Sequence, residues 1–158
     1  MNKYRPILLV EDDEQDQILC QEAIHESKVS NPVVTVRDGV EALDYLFSRN
    51  EYQDKAIIDP AVVLLDIKLP RKTGIEVLIE IRKHEKLAQL PVVMLTSSRN
   101  DYDLSTCYSE GANAYVVKPV DFKDYMHTVG IVSQFWGIIN EPPIQGDNIP
   151  PTRTPTFR

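Results

Sequence analysis

Five short runs of apolar residues mark the chain: 7–10 (Ile-Leu-Leu-Val), 33–36, 61–65, 92–95 and 114–117. They are rich in Val, Ile and Leu and mostly continuous rather than alternating. Strands buried on both faces read this way, and helix-covered parallel sheets are built from such strands. Between the runs the pattern shifts to helical spacing. Asp38-Gly39-Val40-Glu41 puts an Asp cap three residues before a Glu, and Ala42, Leu43, Leu46 and Phe47 follow at helical intervals. Thr73-Gly74-Ile75-Glu76 repeats that capping pattern ahead of Leu78, Ile79 and Arg82. Asp12 or Asp13 caps a helix carrying Ile18, Leu19 and Ala23. Asp101 caps one carrying Leu104, Cys107 and Tyr108, and Asp121 starts a last helix running to about Ile138. A strand–helix unit repeated five times predicts a doubly wound α/β sandwich around a parallel sheet. The connection over 48–60 is longer than such units need, and no chemistry is legible in it.

The last helix is apolar on two sides. Phe122, Tyr125, Met126, Val129, Val132 and Trp136 form the expected core stripe, while Ile131, Phe135 and Ile138 lie roughly opposite. Two apolar sides call for two partners. A homodimer contact through Ile131, Phe135 and Ile138 is the expectation, with a folded-back tail as the alternative. Five of the 11 prolines fall in the last 17 residues. The segment 140–158 is therefore expected to be extended or disordered, leaving residues 4–139 as one folded domain with no output domain after it.

Composition narrows the function. The chain has 158 residues and a formal net charge of −7. That size suits one domain with a real core. The acidic balance argues against gripping nucleic-acid phosphates. There is no signal-peptide pattern and no apolar run long enough to span a membrane. Cys20 and Cys107 have no metal-ligand or C-x-x-C spacing, and reduced thiols in a cytoplasmic protein are the simplest reading.

Ligands of open α/β sheets bind at the carboxyl ends of the strands, near the point where strand order reverses. The first run here ends in Glu11-Asp12-Asp13, the third in Asp66, the fourth in Thr96-Ser97-Ser98 and the fifth in Lys118-Pro119. Clustered carboxylates repel one another by about 1 kcal/mol per pair at 4 Å in water and about 4 near a protein surface. A hard divalent cation with oxygen ligands, or a lysine, offsets that repulsion. Taken singly, Asp13 is as readily a helix cap, Asp66 a loop Asp, and Thr96 or Lys118 an ordinary polar residue. Their joint placement at four strand ends carries the signal.

The segments Leu8-Leu9-Val10-Glu11-Asp12-Asp13, Leu64-Leu65-Asp66-Ile67-Lys68-Leu69-Pro70, Met94-Leu95-Thr96-Ser97 and Gly111 through Pro119 resemble the motifs of the response-regulator receiver domain. The resemblance covers about residues 5–138. It implies a flavodoxin-like sheet of order 2-1-3-4-5 and a signalling phosphoacceptor rather than an enzyme. Asp66 would take a phosphoryl group from a sensor histidine kinase. Glu11, Asp12, Asp66 and the backbone carbonyl of Lys68 would hold Mg²⁺. Lys118 would contact the phosphoryl group, Thr96 would be the switch hydroxyl and Tyr115 the switch aromatic. The resemblance also implies a cis Lys118–Pro119 bond. Lys68 and Ser98, two residues after Asp66 and Thr96, either tune the acyl-phosphate lifetime or are solvated polar side chains.

The Trp136-containing end, the long 48–60 connection and Val34-Thr35-Val36-Arg37-Asp38-Gly39 are similar to stand-alone regulators paired with bacterial phytochromes. A phosphorelay intermediate or phosphate sink for another kinase is the neighbouring reading. Other users of the fold fit poorly. A flavin carrier needs a hydroxyl- and Gly-rich phosphate loop where this chain has Glu11-Asp12-Asp13-Glu14. An aspartyl phosphatase needs a second Asp where this chain has Lys68. His25, His84 and His127 are scattered and read as solvated surface residues.

Overall fold

The computed structural model describes residues 5–143. Its elements follow the expected march: β1 (Ile7–Val10), α1 (Glu14–Glu26), β2 (Val33–Val36), α2 (Gly39–Leu46), β3 (Val62–Leu65), α3 (Gly74–Lys83), β4 (Val92–Thr96), α4 (Asp101–Ser109), β5 (Ala114–Val117) and α5 (Phe122–Gln134). All pairings are parallel and the sheet order is β2-β1-β3-β4-β5. The strand order reverses between β1 and β3, so Glu11 and Asp66 emerge side by side at that point.

Each strand splits its residues between two cores with the period of two that a pleated strand imposes. Ile7, Leu9, Val62, Leu64, Val93 and Leu95 face α1 and α5, packing on Cys20, Ala23, Ile24, Tyr125 and Val129. Leu8, Val10, Val63, Leu65, Val92 and Met94 face the other layer, with Leu43, Leu46, Val77, Leu78 and Ile81. The central strands β1, β3 and β4 are wholly buried, and full burial of each such side chain contributes about 1.5–3 kcal/mol. The edge strands β2 and β5 are mostly half-buried, since each lacks a neighbour on one side.

The capping expectations hold at three helices. Asp38 accepts from Glu41 N, Thr73 from Glu76 N and Asp121 from Asp124 N. At α1 the cap is Asp13, which accepts from Asp16 N at 2.9 Å, so Asp12 is free of that duty. At α4 the expectation of Asp101 is corrected. Asn100 is the cap, accepting from Tyr102 N and Asp103 N, and Asp101 occupies the first turn, where the helix dipole favours its charge.

Two further expectations change. Phe122 is 55 % exposed rather than core, because it is the first residue of α5 and the buried stripe begins three residues later at Tyr125. His25 and His127 are exposed, but His84 is half-buried and stacks on Phe47 with ring centroids 4.6 Å apart. The 48–60 connection folds into a short 3₁₀ turn at Asn50–Tyr52, which Tyr52 fixes by donating its hydroxyl to Glu41 Oε1. Beyond α5 the chain makes a π-helical turn over Phe135–Ile139. Residues 140–143 are irregular, and most of the proline-rich segment lies outside the described residues.

Candidate functional site

Glu11 follows β1 in phase with Ile7 and Leu9, and Asp66 follows β3 in phase with Val62 and Leu64. Lys118 follows β5 in phase with Ala114 and Val116. All three therefore extend the rows that face α1 and α5. Thr96 is in phase with Val92 and Met94, the rows on Tyr115's side of the sheet. The pleat thus sorts the site into an ionic half and a hydroxyl half.

In the ionic half, Lys118 Nζ donates to Glu11 Oε2 at 2.5 Å, to Asp66 Oδ2 at 3.0 Å and to Asp16 Oδ2 at 3.0 Å. Lys118, Glu11 and Asp66 are buried and Asp16 is half-buried. Burial alone would lower the Lys118 pKa, but Glu11, Asp66 and Asp16 outweigh it and hold the ammonium above its ordinary range. Burial pushes the Glu11 carboxyl up to about 7, against the opposing pull of Lys118. Local bonds fix the carboxylates. Asp66 Oδ1 accepts from Ile67 N at 2.7 Å, Glu11 Oε1 accepts from Asp13 N at 3.1 Å, and the buried Gln17 amide donates to the Glu11 carbonyl at 2.6 Å.

Glu11, Asp12 and Asp66 each offer a carboxylate oxygen, and the three oxygens lie within 4.8 Å of one another. Asp12 is exposed at the mouth of the group. An all-oxygen set of this size suits a hard divalent cation such as Mg²⁺, which keeps several waters and takes one or two carboxylates. Asp13 stays out of the group because its carboxylate caps α1. The Lys68 side chain points to solvent.

In the hydroxyl half, Thr96 is fully buried and its Oγ1 accepts from Ser98 N at 3.3 Å. Tyr115 is half-buried and donates its hydroxyl to the Ser98 carbonyl at 3.0 Å. Ser98 Oγ in turn donates to Asp103 Oδ2 at 2.8 Å, which ties the segment to the first turn of α4. Ser98 is therefore a bridge between the two switch candidates rather than a loose polar side chain. The Lys118–Pro119 bond is corrected as well. No peptide bond among the described residues is cis, and trans is the isomer an X–Pro bond prefers by about 0.5–1 kcal/mol. Lys118 reaches all three carboxylates from that geometry, while its own N–H donates to the Thr96 carbonyl at 2.8 Å.

Residues 7–130 match the family model for the response regulator receiver domain. The chain belongs to that family. The receiver is 37% identical over 135 residues to the response regulator Rcp1 of Synechocystis, covering 85% of this chain and 90% of Rcp1. It is 39% identical over 130 residues to the probable methanogenesis regulatory protein FilR2 of Methanothrix harundinacea, covering 82% of each. Among solved structures, phosphorylated RcpA, a cyanobacterial phytochrome response regulator, superposes with a TM-score of 0.83 at 38% identity, over 89% of this chain and 99% of RcpA. The Mn²⁺-bound form of Rcp1 superposes with a TM-score of 0.82 at 36% identity, over the same shares.

Sequence reading missed Asp16 and Gln17. Both lie in the opening turn of α1, and their only signal was position: they follow the acidic strand end at helical spacing, on the element that covers the ionic half.

Proposed function

We propose that the receiver accepts a phosphoryl group on Asp66 from a sensor histidine kinase of the phytochrome type. The carrying observation is the Lys118 ammonium held 3.0 Å from Asp66 Oδ2 inside a group of carboxylates at the sheet's reversal point. Asp66 attacks in line, an O–P bond forms, and the P–N bond to the kinase's phosphohistidine breaks. The leaving imidazole keeps the electron pair and takes up a proton. Such transfers rest on positioning and charge neutralisation more than on acid–base help. Lys118 meets the charge on the phosphoryl oxygens, and Ile67 N–H orients the carboxylate that attacks. Glu11, Asp12, Asp66 and the Lys68 carbonyl are the proposed Mg²⁺ ligands. The ion would neutralise charge on the transferring group.

Thr96 and Tyr115 are the proposed switch. Both are bonded to Ser98, one through its N–H and one through its carbonyl. A Thr96 hydroxyl drawn to a phosphoryl oxygen gives up the Ser98 N–H and loosens the segment that Tyr115 holds. That is a two-state element biased by phosphorylation. Asp66→Asn should abolish labelling by a small phosphodonor, and Thr96→Ala should keep some labelling but weaken the conformational response. Normal labelling of Asp66→Asn would sink the assignment.

The likeness to RcpA supports a phytochrome as the upstream partner, and the comparable likeness to FilR2, a probable methanogenesis regulatory protein, supports a non-phytochrome signal as the second reading. A phosphotransfer profile against the kinases of the same cell decides between them. For output we propose a homodimer through the face of α4, β5 and α5. Ile131, Phe135 and Ile138 are 52 %, 44 % and 48 % exposed, which supports an apolar contact there. A monomer in sedimentation at micromolar concentration would count against it. No described helix is long and apolar enough to cross a membrane. The two free, buried thiols support a cytoplasmic setting, and the charge of −7 supports output through proteins rather than nucleic acid.

A further inference from the structure

Lys118 has three N–H donors and meets three carboxylates, yet only two of those belong to the strand ends. The third, Asp16, comes from α1. Glu11 and Asp66 also belong to the group that could hold a cation, and Asp16 does not. When Asp66 becomes an acyl phosphate its carboxylate charge disappears, so its bond to Lys118 weakens as phosphoryl oxygens arrive. If Glu11 also turns toward a cation, Asp16 is the one carboxylate of the three still committed to the lysine.

The backbone holds Asp16 in place for that task. Its N–H is bonded to the Asp13 cap at 2.9 Å, and its carbonyl faces the buried Tyr125 hydroxyl at 3.5 Å. Asp16 therefore sits on the first turn of a capped helix, not on a loose loop. A lysine stem has four rotatable bonds, and an ammonium with one anchor swings freely. With Asp16 taking one N–H, the remaining donors are directed into the carboxylate group where the phosphoryl oxygens arrive.

We propose that Asp16 is a positioning residue for phosphoryl transfer: it anchors Lys118 from α1 so that the ammonium meets the group arriving on Asp66. The inference rests on Asp66 being the phosphoacceptor. Asp16 touches neither donor nor phosphoryl group and acts only through Lys118. Misplacing a group by about 1 Å can cost up to about 100-fold in rate, so loss of one of three anchors should cost about 10-fold.

The test follows labelling of the full chain by acetyl phosphate with Mg²⁺, read by intact mass. Asp66 attacks the phosphorus, its O–P bond forms as the donor's O–P bond breaks, and acetate leaves. Asp16→Asn removes the anchor's charge at nearly constant shape. Glu14→Gln makes the same charge change two residues away at an exposed position that does not touch Lys118. The expected result is a maximal rate about 10-fold lower for Asp16→Asn, with the half-saturating donor concentration unchanged, and wild-type behaviour for Glu14→Gln. In a Lys118→Ala background, followed over long incubations, Asp16→Asn should make no further difference. A rate within two-fold of wild type for Asp16→Asn overturns the proposal, as does an equal loss in Glu14→Gln or a full further loss without Lys118. Unlabelled wild type, or labelled Asp66→Asn, overturns the phosphoacceptor reading itself and is told apart by those two proteins alone.

Discussion

Lys118 Nζ lies 3.0 Å from Asp66 Oδ2, although 52 positions separate the two residues in the chain. The sheet order makes this contact. β3 and β5 both run toward the same edge with β4 between them, and α1 closes the gap from one side with Asp16. One ammonium thus offsets three carboxylates in a place where water reaches only part of the group.

That arithmetic predicts what removing the ammonium does. Lys118→Ala leaves Asp16 and Asp66 with no fixed positive charge beside them, and Glu11 without the ammonium that opposes its protonation. Breaking a buried ion group by taking away one partner typically costs about 3–5 kcal/mol. In metal-free buffer the unfolding free energy from urea titration should fall by an amount near the lower end of that range, since Asp16 is half-buried and keeps part of its hydration. Titrating Mg²⁺ should recover part of the loss, because a divalent cation then does the lysine's electrostatic work. A loss that Mg²⁺ does not touch would show that the carboxylates do not hold a cation.

Glu11 gives a pH signature with a definite sign. Burial raises its pKa from 4.5 to about 7, with the Lys118 ammonium opposing. Between those values the native state keeps a proton that the unfolded chain has released. Stability at this site therefore falls as pH rises from about 4.5 to about 7 and levels off above. Lys118, whose pKa is raised above its ordinary 10.5, stays charged throughout and adds no slope in that window. In metal-free buffer, wild type should lose stability relative to Glu11→Gln across the window. The opposite slope would mean that the ion pair dominates and that the native pKa lies below 4.5.

Much of this arrangement was written in the strand ends. Glu11, Asp12, Asp66, Thr96 and Lys118 each follow an apolar run, and a sheet reversing between β1 and β3 had to bring them together. What stayed hidden depends on contacts between elements. Phe122 looked like core because its spacing fits the stripe, but only the start of α5 decides that it lies outside it. His84 looked solvated because its neighbours in sequence are polar, while Phe47, which it stacks on, comes from the end of α2. Arg82 read as one more position in a helical pattern. Its guanidinium in fact donates to the carbonyls of Gly111, Ala88 and Leu90 and to Asn113 Oδ1.

Arg82 should accordingly be worth more than its surface pattern suggests. It joins the end of α3 to the turns before β4 and β5, and burial lowers its pKa as it loses water. Hydrogen bonds from a charged group contribute about 1.5–3 kcal/mol each at the most favourable. Arg82→Ala should cost about 2–3 kcal/mol by chemical denaturation. Arg82→Lys should recover little, because one ammonium cannot span carbonyls that a planar fork reaches together. Near-complete recovery in the lysine variant would show that charge alone is needed.

Gly74 and Gly130 make a matched pair of glycines with opposite expectations. A Cβ on Gly74 would lie 2.0 Å from the Asp66 carbonyl oxygen and 2.9 Å from the Ile67 Cα, both backbone atoms that cannot swing aside. The Gly74 N–H also donates to the Ile67 carbonyl at 2.8 Å, so the start of α3 rests directly on the segment that carries Asp66. Gly74→Ala must push that segment. Overpacking of this kind costs about 1–3 kcal/mol and occasionally more. It should also slow labelling of Asp66, since the moved backbone carries the carboxylate. At Gly130, inside α5, a Cβ would meet only the Ser27 Cβ at 3.8 Å, an ordinary contact. Gly130→Ala should therefore stabilise the receiver by up to about 1 kcal/mol through helix propensity, with labelling unchanged. Denaturation midpoints and labelling rates of the two variants check both halves. Equal effects from the two substitutions would mean that close packing against the Asp66 segment does not set its geometry.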